Sequence, residues 1–230
     1  MKFLRLKRHR TRRDGIRSVL PVVVEKARKF GRTLREEKIS VRRDVLITGA
    51  HHSGKTRWLA RLHAEAPGVW RGREVILIRC VNPLAAWVDD PRVIAHGEKA
   101  YARSWTQLRA WERLDALVAW VSEVRAVVLF DDVQLLTGRK LDVALRLLAG
   151  ARWVVVTASD EARLPVSFRL ALQRRRPQRI NLKSEAPYDA TAFVVWLLSL
   201  AALGAGAWQL AAAIAGLNLL GRGRRAARQT

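Results

Sequence analysis

The chain has 230 residues, enough for one domain with a sizeable core plus appended segments. Half of its residues are hydrophobic, which excludes a disordered polyelectrolyte, yet the formal net charge is +23. Charge of this size suits nucleic acid or an anionic membrane face, and the single cysteine, Cys80, excludes an intrachain disulfide or a cysteine metal cluster.

Residues 1–43 form a basic N-terminal arm without the apolar stretch of a secretory signal. Val19–Val24 is apolar, and a helix is expected from there to about Ile39, so the arm reads as helical. Its charge points to nucleic acid or anionic lipid as partner.

Residues 44–188 alternate short apolar runs with longer amphipathic stretches. Strands are predicted at Asp44–Thr48, Glu74–Cys80, Ala126–Asp131, Arg152–Ala158 and Arg179–Leu182. Helices are predicted at Gly54–Ala64, Ser104–Val124 and Leu141–Leu148, with Trp105 and Trp111 placed in the core. Continuously apolar strands alternating with helices specify an α/β fold, a parallel five-stranded sheet flanked by helices.

Residues 189–221 read as a membrane segment. Ala192–Leu220 carries no charge over about 29 residues, roughly 43 Å as a helix against a hydrocarbon core of roughly 30 Å. A tilted transmembrane helix and a hairpin turning near Gly204–Gly206 both fit. The basic tail, residues 222–230, carries Arg222, Arg224, Arg225 and Arg228 and favours the cytoplasm.

Gly49-Ala50-His51-His52-Ser53-Gly54-Lys55-Thr56 follows a strand and opens a helix, the context of a phosphate-binding loop. Its glycines let backbone N–H groups wrap phosphate oxygens, and the helix N-terminus adds partial positive charge. Lys55 is suited to the β and γ phosphates, Thr56 to Mg²⁺, and Arg57 completes the nucleotide-binding stretch. About 75 residues on, Asp131 ends an apolar strand as a Walker B carboxylate suited to the same Mg²⁺, and Asp132 is the candidate to polarise the attacking water. Thr157 and Ser159, at the tip of the fourth strand, can orient that water. Arg174 and Arg175 precede the last strand, where an arginine can reach a neighbouring subunit's nucleotide.

In this order, the motifs over roughly residues 44–183 resemble an AAA+ P-loop ATPase core. Phe130-Asp131-Asp132-Val133-Gln134-Leu135-Leu136 is similar to the Walker B segment of bacterial replication initiators and helicase loaders, the DnaA-like clade. The resemblance implies ATP with Mg²⁺ as cofactors, a homo-oligomer or larger complex, and Thr157 or Ser159 as sensor 1. Members of that family continue into a helical lid with a second sensor arginine, whereas here the chain runs almost directly into the apolar segment. The combined expectation is a membrane-anchored ATPase at a bacterial inner membrane, its catalytic domain cytoplasmic. It would drive or gate a larger assembly in DNA handling, conjugation or secretion, or phage-type assembly. A non-hydrolysing nucleotide-gated scaffold and a small-molecule kinase are the alternatives.

Overall fold

The computed structural model describes residues 2–9, 18–26 and 32–182, with the isolated positions 200, 204 and 206. Residues 1–184 form one compact unit and residues 185–230 a second. No helix among the described residues is long and apolar enough to cross a membrane. The expected membrane segment and basic tail lie almost wholly outside those residues.

The N-terminal arm is a sheet, which corrects the expected helix. β1 (Lys2–His9), β2 (Ser18–Lys26) and β3 (Thr33–Lys38) pair antiparallel in the order β1-β2-β3. The physical reason lies in β2. Val19, Val22, Val23 and Val24 are β-branched and favour a pleated surface, and Pro21 cannot donate within a helix. As the middle strand, β2 buries all four valines. Pro21 takes part through its carbonyl, which accepts from the Ile39 amide at 3.0 Å. Every residue of β3 is exposed, so its charges face water.

The second sheet has five parallel strands: β4 (Val45–Gly49), β5 (Val75–Arg79), β6 (Val127–Asp131), β7 (Trp153–Ala158) and β8 (Gln178–Leu182). Their order is β5-β6-β7-β4-β8. All five match the predicted strands to within about two residues. β6 is buried along its whole length because both faces are covered. Its side chains alternate between two cores. Val128 and Phe130 join the cluster built with α4 (Ala110–Glu123), α5 (Gly138–Gly150) and α6 (Val166–Arg174). Val127 and Leu129 join the cluster that holds Trp58, Leu59 and Leu62 of α1 (Lys55–Ala64) and Val23 of β2. The N-terminal sheet therefore shares a core with the phosphate-loop helix.

Two further α-helices lie among the described residues: α2 (Ala66–Val69) and α3 (Pro91–Tyr101). α3 starts where Asp90 caps the Arg92 amide at 2.9 Å and Pro91 occupies the first helical position. The predicted helix from Ser104 begins later, at Ala110, after a short 3-10 turn at Trp105–Gln107. Glu112 fixes that start by accepting from the Arg109 amide at 2.7 Å. The shifted start turns Trp111 outward, 46% exposed, correcting its placement in the core; Trp120 is buried in its stead.

Candidate nucleotide site

The loop between β4 and α1 is shaped by its glycines. A Cβ on Gly49 would stand 2.8 Å from the Leu182 side chain, so β8 can approach only a glycine here. Gly54 has φ +84°, open to glycine without strain, and sets the turn into α1. α1 carries no side-chain cap and no acidic residue in its first turn. Its leading amides are therefore left for an external anion.

Lys55 is buried, and its ammonium donates to the Gly49 carbonyl (2.6 Å), the Ala50 carbonyl (2.9 Å) and Ser53 Oγ (3.1 Å). Burial lowers its pKa from 10.5, opposed by the charges of Asp132 and Asp131. Bound phosphate oxygens would replace these loop acceptors. Thr56 and Arg57 are exposed beside it, as are His51 and His52, whose ring centroids stand 6.5 Å apart.

β7 lies between the loop strand β4 and the acid strand β6, and Thr157 uses that position. Its fully buried hydroxyl donates to Asp131 Oδ1 at 2.6 Å and accepts from the Asp132 amide at 3.2 Å. The Thr56 hydroxyl donates to the same Asp131 oxygen at 3.3 Å. A hydroxyl and a carboxylate are oxygen donors of the kind Mg²⁺ takes, so Thr56 and Asp131 fit that ion and would hold it together, Asp131 through water. Among the described residues no cluster of three His, Cys, Asp or Glu could hold a metal.

Asp132 has the left-handed backbone φ 56°, ψ 50°, which turns its carboxylate away from the strand direction. Gln134 holds it there, an interaction that sequence reading missed. Gln134 Nε2 donates to Asp132 Oδ1 at 3.1 Å, while its Oε1 accepts from the Ser159 amide at 3.2 Å. The Ser159 carbonyl in turn accepts from the Gly49 amide at 3.2 Å. One side-chain amide thus links the second acid, the tip of β7 and the first residue of the phosphate loop. The Ser159 hydroxyl itself is buried without a partner among the described residues. The only sequence hint of this link was the position of Gln134, two residues after the acid pair.

The arginines are placed otherwise than the sequence suggested. Arg175 is clamped to Asp44, with Nε 2.7 Å from Oδ2, and it donates to the carbonyls of Leu148 (3.0 Å), Ala151 (3.1 Å) and Arg152 (3.1 Å). Asp44 precedes β4, so this clamp sits at the start of the strands and the phosphate loop at their end. That corrects the expectation of Arg175 as a catalytic arginine, since its guanidinium is fully engaged at the far edge. Arg174 is exposed, one residue away from the clamp.

A groove of about 770 Å³ opens from Ser53 and Gly54 and runs between β1 and α1. Arg5, Arg8, Arg57 and Arg61 line it, with Phe3 and Leu6 on the β1 side, and Glu65 pairs with Arg8 at its end.

No known protein family matches the sequence, and no curated protein does. Among solved structures, the Aeropyrum pernix Orc1 protein in complex with DNA is 18% identical, with TM-score 0.38 over 63% of this chain and 40% of that one. Domain III of the Thermotoga maritima replication initiation protein DnaA is 16% identical, with TM-score 0.41 over 61% and 54%. Cdc6p from Pyrobaculum aerophilum is 18% identical, with TM-score 0.40 over 68% and 42%. The chain spans about half or less of the length of these structures. The protein has an α/β fold in which a glycine-bounded turn of the P-loop kind joins β4 to α1 at the end of the parallel sheet.

Proposed function

We propose that the chain is an AAA+-like ATPase that binds Mg-ATP and uses binding and hydrolysis to drive or gate a larger assembly. One observation carries this reading: Thr56 of the phosphate loop and Thr157 of the interposed strand meet on the same oxygen of Asp131. The loop amides, Lys55 and the α1 N-terminus bind the triphosphate; Thr56 with Asp131 would hold Mg²⁺, which would supply positive charge to the phosphates. The groove along α1 receives the adenosine. Water attacks the γ-phosphorus and gives a proton to Asp132, the bond to the β-bridging oxygen breaks, and ADP and phosphate leave. Thr157 positions both acids for that step, through Asp131 Oδ1 and the Asp132 amide, and the Ser159 hydroxyl, unpartnered among the described residues, is the one left to orient the water. An arginine acting on a neighbour's nucleotide in an oligomer would be Arg169, Arg174 or Arg176, because Arg175 is engaged.

The apolar run within residues 189–221 supports anchoring at a bacterial inner membrane with the ATPase unit in the cytoplasm. The assembly served is one of DNA handling, conjugation or secretion, or phage type. A non-hydrolysing scaffold is the second reading, favoured by the Gln134 bond that occupies Asp132. ATP turnover by the full chain in detergent separates the two. Hydrolysis that disappears in Asp132→Asn, with ATP still bound, supports the ATPase, whereas binding without turnover in the natural chain supports the scaffold.

A further inference from the structure

A second site lies at the opposite edge of the parallel sheet from the phosphate loop. There a recess of about 550 Å³ is lined by Arg42, Arg71, Arg73 and Arg152, with Trp70 and Trp153. Arg42 precedes β4, Arg71 and Arg73 precede β5, and Arg152 precedes β7, so all four enter at the starting ends of the strands. Five residues of β4 put roughly 16 Å between that edge and the loop.

The recess is organised for anions. No Asp or Glu is among the described residues that line it. Arg42, Arg73 and Arg152 are exposed, and none has a carboxylate partner among the described residues. Other arginines of the fold do have such partners, as Arg92 with Asp90 and Glu74, Arg103 with Glu112, and Arg146 with Asp115. The guanidinium carbons of Arg152 and Arg73 stand 5.4 and 6.0 Å from the Trp153 ring centroid. Stacking of that kind holds the planar groups while leaving their N–H edges to donate. Trp70 fixes the floor by donating to the Val41 carbonyl at 2.6 Å. Like charges gathered this way repel one another until a polyanion enters between them.

We propose that this recess binds the backbone phosphates of single-stranded nucleic acid. Arginine suits phosphate oxygens bidentately, and three guanidiniums from three separate segments suit successive phosphates better than one small ion. A bilayer fits less well. The surface is concave, and none of the large apolar side chains exposed among the described residues lines it, so nothing there inserts between headgroups. This site is independent of the nucleotide reading and stands or falls without it.

The test is fluorescence anisotropy of a labelled oligothymidylate with the full chain in detergent, over a salt series. About three phosphate contacts give a slope of log affinity against log salt near −2, or roughly 18-fold weaker binding for a fourfold rise in salt. Arg42→Glu with Arg73→Glu should weaken binding at least about tenfold and flatten the slope to about −0.7. Lys99→Glu with Arg139→Glu, the same change of charge on exposed parts of α3 and α5, should leave both nearly unchanged. If the reversed pair does not fold by circular dichroism, Arg42→Gln with Arg73→Gln replaces it with the same expectation. Equal losses in the two pairs would show diffuse charge and overturn the site. So would the absence of oligothymidylate binding. Retained oligothymidylate binding with lost flotation on phosphatidylglycerol vesicles would overturn it in favour of a membrane surface.

Discussion

The two ends of the parallel sheet each hold a buried aspartate, and they treat it in opposite ways. At the starting edge, Asp44 accepts from Arg175 and from the Val154 amide at 2.8 Å, a bonded cluster that ties β4, β7 and the approach to β8 together. At the finishing edge, Asp131 accepts from two hydroxyls, Thr56 and Thr157, which can turn to other oxygens at little cost. A charge locked by a guanidinium builds the fold, while one held by rotatable hydroxyls is ready to exchange partners. Substitutions at the two edges should therefore fail differently, one in stability and the other in ligand handling.

The largest expected effect is at the finishing edge. Lys55→Ala removes the ammonium assigned to the phosphates in the proposed site and should weaken ATP binding by about 100-fold or more, with the melting temperature little changed. Calorimetric titration with a non-hydrolysable ATP analogue checks it, and undiminished binding would remove the nucleotide site. Arg175→Ala should do the reverse. It leaves Asp44 buried without its cation and should lower unfolding free energy by about 3 kcal/mol in urea titrations, with ATP affinity per folded molecule unchanged.

Gln134→Ala tests the link between the acid and the loop. Release of Asp132 should change kcat about tenfold in either direction while ATP affinity moves less than about threefold. Parallel changes in both would mark Gln134 as merely structural. The pH profile adds a smaller effect. Burial lowers the Lys55 pKa from 10.5, so the ammonium, and with it ATP affinity, is lost as pH rises through that lowered value. Asp131→Asn removes a charge that raises this pKa and should bring the loss to still lower pH. The smallest effect belongs to His63, whose pKa burial holds below 6.5, with Arg92 and Arg79 adding to the shift. Its neutral form favours the fold, so this stability is present above pH 6.5 and declines as pH falls towards the lowered value, a change that His63→Gln should erase from the acid limb of thermal melts.

The parallel sheet was legible in the sequence because strands buried on both faces, such as Val127–Asp131, read as unbroken apolar runs. The turn that carries Gly49–Thr56 between one strand and one helix was legible because its signal is local, eight consecutive residues. The N-terminal sheet was not, since antiparallel pairing depends on partners outside any local window. Nor could the Asp44–Arg175 clamp be read, as it joins residues 131 positions apart. Gln134 escaped for a related reason: its role appears only once the 3-10 turn at Val133–Leu135 sets it beside Ser159.

Cys80 follows β5, completely buried, with its amide donating to the Asp131 carbonyl at 3.0 Å and its own carbonyl accepting from Lys140 at 3.0 Å. Burial, then the nearby charges of Asp131 and Asp132, push its thiol far above the usual range. The natural chain should therefore be silent to maleimides at neutral pH. A cysteine placed at exposed Gln107 or Arg139 would then carry a dye, spin label or crosslinker as the one reactive handle in the folded protein.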